Sequence, residues 1–329
     1  MLKYVKISSF KVVLLLLCVF SCAKQQESME AYLFAYFTGN GPGEEAVHYA
    51  VSLDGYKYKA LNGHLPILDS KKISSSGGVR DPHILRGVDG ETFYMVLTDL
   101  YVPAMGWNNY ALILMKSTDL IHWESSVVNI PKAYPHEYGT VDRVWAPQTI
   151  YDASKGKYMV YFSMKAAGDH PDIIYYAYAN NDFSALEAAP KQLLFNPDGN
   201  ACIDGDIVEK DGKFYLFHKS ESGEPGIKLA VSNKLTEGYA YPHMERVDRE
   251  TDRVEGSGVF KLNDAEEWIL MYDVYNSGRY QFTKSNDLEH FEVIDAAIEM
   301  DFHPRHGTVM PITKKEYDRL INEWGRSTK

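Results

Sequence analysis

Five times along the chain a short apolar run opens in the same way, and this recurrence restricts the fold more than any other feature. The runs are Asp81-Pro-His-Ile-Leu85, Trp145-Ala-Pro-Gln-Thr-Ile150, Asp204-Gly-Asp-Ile-Val208, Glu255-Gly-Ser-Gly-Val-Phe260 and His306-Gly-Thr-Val-Met310. Their starts lie 64, 59, 51 and 51 residues apart. A turn leading into an aromatic strand follows at Asp89–Met95, Lys155–Met159, Asp211–Tyr215 and Asp264–Trp268. A third motif closes the unit. Lys116-Ser-Thr-Asp-Leu-Ile-His-Trp123 and Lys284-Ser-Asn-Asp-Leu-Glu-His-Phe291 are near copies, with weaker versions at Ala179–Phe183 and Val231–Leu235. Each unit therefore reads as an opening strand, an aromatic strand, a third strand, then Ser-x-Asp and an edge strand. Four-stranded units of this length are the signature of a β-propeller. An ordinary sandwich with repetitive turns is the weaker reading, because it gives no reason for three motifs to return in a fixed order. The 24 Tyr and 14 Phe also suit strands.

The fifth opening, His306–Ile312, leaves no room for three further strands after it. The missing strands lie at the other end, in Ala31–Leu68, where Ala31–Phe37 and Ala46–Ser52 read as an antiparallel pair. The expected fold is thus all-β, a five-bladed β-propeller whose fifth blade is closed by N- and C-terminal strands, which removes the free edges of a broken ring. Lys314–Trp324 has the apolar spacing of a short amphipathic helix. No linker or composition shift interrupts residues 31–325, so they form one domain.

Residues 1–21 read as an export signal, with Lys3, Lys6 and Lys11 ahead of the apolar run Val12–Phe20, too short to span a bilayer comfortably. Ser21-Cys22 resembles a bacterial lipoprotein cleavage site, where Cys22 becomes the lipidated first residue. A simple secretory signal with an incidental Cys is the alternative. Residues 22–30 form a polar tether. The expected location is therefore the bacterial cell envelope, with membrane contact only through the N-terminal lipid. Net charge is −11, or −14 once the three lysines of the signal are set aside. That balance argues against nucleic acid as a partner. After processing only Cys22 and Cys202 remain, so no disulfide framework is expected; Cys202 reads as a small buried apolar residue.

In a propeller the opening strands line the central channel, so the residues that start them meet at one end. Asp81, Asp204 and Glu255, at equivalent places in three repeats, then face one cleft. Crowded carboxylates cannot all stay ionised, and a base beside an acid is what glycosidic hydrolysis requires. Singly, each has a plainer explanation. Asp81, restricted to extended geometry by Pro82, shapes a turn; Asp204 and Glu255 cap loops or hold a structural cation. Asp206 competes with Asp204, since residues two apart on a strand share a face. Ile207 lies three after Asp204 as Ile84 lies three after Asp81, which favours Asp204.

These residues resemble glycoside hydrolase family 43, five-bladed propeller enzymes acting mainly on arabinose- and xylose-containing plant polysaccharides. The motifs that carry the resemblance are Arg80-Asp81-Pro82 with Ser117–Trp123, Trp145-Ala-Pro147, Ile203-Asp204, Val254-Glu255-Gly256 and Arg305-His306-Gly307. The resemblance implies that Asp81 is general base for an inverting water, Glu255 general acid, and Asp204 the tuner of that acid. It also implies that His306 lies in the channel near a cation or water cluster, so His306 is a candidate metal ligand for calcium or another structural cation; a plain hydrogen-bonded His is the alternative, and no cofactor is required. Trp145, Gln148, Phe37, Trp107 and His306 are candidate sugar contacts, or else core packing. Gly205, Ser257 and Gln148 depart from the family pattern without removing a carboxylate.

The expected partner is a plant oligo- or polysaccharide, with α-L-arabinofuranosidase activity first, then β-xylosidase or a galactan-acting exo-glycosidase. Retaining fructan hydrolases share the propeller and Arg-Asp-Pro but require an earlier Asp-Pro nucleophile and a Glu-Cys acid, both absent here. A non-catalytic surface glycan-binding propeller is expected to lose a carboxylate, and all three are present.

Overall fold

The computed structural model describes Met1 and residues 27–325; the export signal, Cys22 and most of the tether lie outside the described residues. Five sheets stand around one axis, antiparallel throughout except for one short parallel pairing at the rim of the fifth. Blade 1 runs Val79–Arg86, Phe93–Asp99, Ala111–Ser117 and Glu124–Asn129 from axis to rim. Blade 2 runs Val141–Asp152, Lys157–Ala166, Ile173–Tyr178 and Lys191–Leu194. Blade 4 runs Glu255–Lys261, Trp268–Val274, Arg279–Ser285 and Glu292–Val293. Blade 3 departs from the four-strand expectation. It has Cys202–Lys210, Lys213–Ser220 and Gly226–Ser232 only; the chain beyond touches its edge through the bridge Val231–Ala240 and through hydrogen bonds of Val247 and Asp248 with Ile227, without forming a fourth strand.

The fifth blade joins both chain ends, as the strand count predicts. Its inner strand Gly307–Thr313 pairs with Met29–Tyr36, that strand with His48–Ser52, His48–Ser52 with Lys57–Ala60, and Lys57–Ala60 with Glu299–Met300 at the rim. That strand starts at Met29, two residues inside the stretch read as tether. The helix follows at Lys314–Trp324, started by a capping box between Thr313 and Glu316. Its Glu316 carboxylate takes two hydrogen bonds from Arg86 of blade 1, tying the helix beneath the ring.

Apolar side chains fill the gaps between neighbouring blades. Leu33 and Tyr49 meet Met95 and Leu97; Val96 and Leu114 meet Val160 and Phe162; Tyr161 and Ile174 meet Ile207 and Leu216. Phe217 and Leu229 meet Leu270 and Tyr272, and Met271 and Phe282 meet Phe34 and Val309. Each fully buried side chain of this kind contributes roughly 1.5–3 kcal/mol. In blades 1 and 4 the Ser-x-Asp motif builds the turn before the edge strand: Ser117 and Ser285 Oγ each accept two backbone N–H groups, and Asp119 and Asp287 each accept two more. Ser52 and Asp54 repeat the arrangement in the fifth blade.

Candidate active site

The inner strands do not run straight into the channel. Four of them break register at the same point, between Arg80 and His83, Trp145 and Gln148, Ile203 and Asp206, and Glu255 and Gly258. At each bulge one residue takes a positive φ: Asp81 (51°), Ala146 (45°), Asp204 (55°) and Gly256 (65°). Asp81 is therefore not extended as Pro82 suggests. The bulge overrides the local preference, a strain of order 1–3 kcal/mol for a non-glycine residue, and re-aims the side chain to the axis. The three carboxylates are also not equivalent. Asp81 and Asp204 occupy the bulge position itself, whereas Glu255 sits one residue earlier, matching Arg80, Trp145 and Ile203. Gly256 fills the bulge in blade 4 because a Cβ there would lie 2.3 Å from the His306 ring.

His306 stands at the centre. Its Nε2 lies 3.2 Å from Glu255 Oε1, and its Nδ1 lies 3.1 Å from Asp81 Oδ1 and 3.9 Å from Asp204 Oδ2. Burial alone would make this imidazole harder to protonate, but Asp204, Asp81 and Glu255 together raise its pKa well above the usual value. Asp81 also accepts a 2.7 Å hydrogen bond from Thr98 Oγ1. Burial pushes its carboxyl up, yet His306, Arg80 and Thr98 outweigh that and hold it down at about 2.

Glu255 is ringed by cations. Arg305 Nη2 lies 3.1 Å from Oε1 and Lys219 Nζ 3.4 Å from Oε2. Burial pushes this carboxyl up too, but His306, Lys219 and Arg305 bring it down to about 2. Asp204 is the carboxyl that rises, to about 6, through burial and the charges of Glu255 and Asp81, partly offset by His306 and Lys219. It accepts the Gly256 N–H at 3.0 Å. Burial and the crowding of acids thus raise the proton affinity of Asp204, the acids raise that of His306, and the surrounding cations lower that of Glu255. Asp206 lies apart from these groups, accepting the Val259 N–H, because the bulge between Ile203 and Asp206 ends the alternation that would have put it beside Asp204.

A cavity of about 340 Å³ lies above this cluster, lined among others by Asp81, Asp204, Glu255, Trp107, Trp145 and Tyr275. Trp107, 49 % exposed, meets Trp145 edge to face at 6.1 Å. Phe37 and Gln148 do not line this cavity. Phe37 is fully buried, with the Arg80 and Arg305 guanidinium groups over its ring. Gln148 lines a smaller hollow below, which His306 shares, and accepts a hydrogen bond from Tyr161.

Asp204, Glu255 and His306 bring ligand atoms within 4.8 Å of one another, as a cation site requires. The remaining donors do not fit direct metal binding. Lys219 and Arg305 already neutralise Glu255, and each His306 nitrogen faces a carboxylate.

Lys219, Tyr275 and Asn40 are site residues the sequence reading missed. Lys219 had a signal: it is a charge two residues after the apolar run Phe214–Phe217, at the place where Thr98, Ser163 and Asp273 stand in the equivalent strands.

A five-bladed propeller with carboxylates around a central imidazole and tryptophans above them defines a glycoside hydrolase. The chain belongs to the glycosyl hydrolase 43-related family, described as "Probable glycosyl hydrolase domain", whose model matches residues 27–318. It is 24% identical over 195 residues to an alpha-L-arabinofuranosidase of Bifidobacterium longum subsp. longum, a match covering 52% of this chain and 17% of that protein. Among solved structures it is similar to a xylan beta-1,4-xylosidase from Bacillus halodurans (TM-score 0.60, 16% identity, 86% of this chain and 56% of that one). It is also similar to an alpha-L-arabinofuranosidase from Clostridium thermocellum (TM-score 0.59, 14% identity, 83% and 92%). At these identities the likenesses carry the fold.

Proposed function

We propose that the enzyme is an inverting glycosidase removing arabinofuranose from plant polysaccharide side chains, with Asp81 as general base, Glu255 as general acid and Asp204 as its tuner. The observation that carries this reading is the convergence of the three carboxylates on His306 beneath the Trp107–Trp145 wall. Asp81 is ionised and aligned, as a base must be. Glu255 borders the cavity and shares a hydrogen bond with His306 Nε2, so the proton for the leaving oxygen is one bond away. An imidazole between base and acid supports inversion, since a retaining pair only ~5–5.5 Å apart leaves little space for an intervening ring. The arabinofuranosidase preference is supported by the Bifidobacterium relative; β-xylosidase or exo-galactanase action is the alternative.

A panel of aryl α-L-arabinofuranosides, β-D-xylosides and β-D-galactosides, followed by sugar release from arabinan, xylan and arabinogalactan, tests the substrate. NMR of the first-formed anomer tests inversion, and a retained anomer rejects it. The cation set around Glu255 supports a reaction needing no metal cofactor, so dialysis against a chelator should leave the rate unchanged.

We further propose export and lipid anchoring at the cell envelope through Cys22. Cys22→Ser should then release a soluble or unprocessed protein, whereas unchanged membrane fractionation of the variant, with no acyl mass on the native chain, would refute the anchor.

A further inference from the structure

Opposite the residue that precedes each bulge, the second strand carries a side chain that crosses to the next blade. The four are Thr98, Ser163, Lys219 and Asp273. Ser163 Oγ accepts the Asp204 N–H at 3.0 Å, Lys219 meets Glu255, and Asp273 takes the Arg305 guanidinium. Thr98 serves two blades at once: its Oγ1 lies 2.7 Å from Asp81 Oδ2 in its own blade and accepts the Ala146 N–H of blade 2 at 2.8 Å. It is wholly buried.

We propose that Thr98 is a positioning residue for this reaction, its hydroxyl proton pinning Asp81 Oδ2 so that Oδ1, the oxygen beside His306, takes the proton of the attacking water. The assignment rests on Asp81 being the base. A hydroxyl has one proton and two lone pairs. The Ala146 N–H points at the oxygen, so the single proton is left for Asp81. The other groups around Asp81 are charged: Arg80, His306 and Arg305 attract it, while Asp204 and Glu45 repel it. The His306 Nδ1 contact lies off hydrogen-bond alignment. Thr98 therefore gives the aligned side-chain bond that fixes the plane of the carboxylate. A carboxylate free to turn would present its proton-accepting lone pair to the water for only part of the time.

Thr98→Val keeps the shape and removes both hydrogen bonds; Thr98→Ser keeps them. The Val variant should lose roughly tenfold to a hundredfold in kcat, the worth of a hydrogen bond to a charged group, with KM little changed. Because the lost donor stabilised the ionised base, the acidic limb of kcat/KM should move to higher pH, and Ser should restore both. An unchanged limb and kcat in the Val variant, or a Ser variant as impaired as Val, overturns the assignment. If Val does not fold, Thr98→Ala removes the same donor at smaller volume and is read in the same way. Asp81→Asn is assayed alongside. If it stays active the base reading fails and this proposal with it; if it is inactive while Thr98→Val is unimpaired, only Thr98 is misassigned.

Discussion

The two sides of the cavity hold their carboxylates by opposite means. Asp81 is held by direction, through a bulge that re-aims it, a neutral hydroxyl on one oxygen and an imidazole beside the other. Glu255 is held by charge, with Lys219, Arg305 and His306 around it. A base needs to be ionised and aimed, and the first arrangement supplies both at rest. An acid needs a proton, and the second arrangement withholds it until something changes near Glu255. Under the proposed roles, the step that depends on substrate entry falls on the acid side.

The largest effect that could break this contrast comes from removing each carboxylate. Asp81→Ala should lose about 10²–10⁴ in kcat whatever the leaving group, since the water always needs its base. Glu255→Ala should lose as much on alkyl or sugar leaving groups but much less on an acidic phenol. Equal leaving-group dependence in the two variants would erase the distinction. The next effect sharpens it. Lys219→Met removes a cation that keeps Glu255 ionised, so the acid's pKa rises and the alkaline limb of kcat/KM should move to higher pH, with the acidic limb of Asp81 nearly in place. Asp204→Asn removes a neighbouring negative charge and should move that limb the other way. Below about pH 6 Asp204 is itself protonated, so its replacement matters only above that pH.

A smaller effect separates Asp204 from Asp206. Burial pushes the Asp206 carboxyl up to about 7, so the folded state binds its proton more tightly than the unfolded chain does. The stability this gives is complete below the unfolded carboxyl's pKa and is lost as pH rises to about 7. Asp206→Asn should therefore flatten the fall in Tm across that window and leave the pH limits of catalysis alone. A moved alkaline limb in this variant would exchange the roles of the two residues. Least of all, Trp107→Ala should raise KM about threefold to tenfold with little change in kcat, as loss of an aromatic sugar contact does. An unchanged KM would move the sugar's place away from Trp107.

The ring was legible in the sequence because its repeats are. Ser117-Thr-Asp and Ser285-Asn-Asp announce the same turn, and the lone strand after His306 told where the missing partners lay. Lys314–Trp324 was legible from apolar spacing alone. The bulges were not. Asp81-Pro82 reads as extended by local rules, and only Gly256, at the same place in blade 4, carried a sign of positive φ. For that reason the sequence reading aligned Glu255 with the two aspartates, one residue out of step. The charge state of Glu255 was hidden for another reason. Lys219 and Arg305 lie 36 and 50 residues from it along the chain, and no local pattern records which side chains meet across blades.

The pairing of Met29–Tyr36 with Gly307–Thr313 makes the fifth blade a clasp. The site straddles that clasp: Asn40 and Arg80 come from early in the chain, Arg305 and His306 from its last fifth. Every residue from Asn40 to Arg305 is translated before the central imidazole can reach its carboxylates. Closing so long a loop is slow and comes late. A chain lacking Gly307–Thr313 carries all three acids yet has no partner for Met29–Tyr36, so the fifth blade, and the imidazole at its mouth, depend on both halves of the clasp.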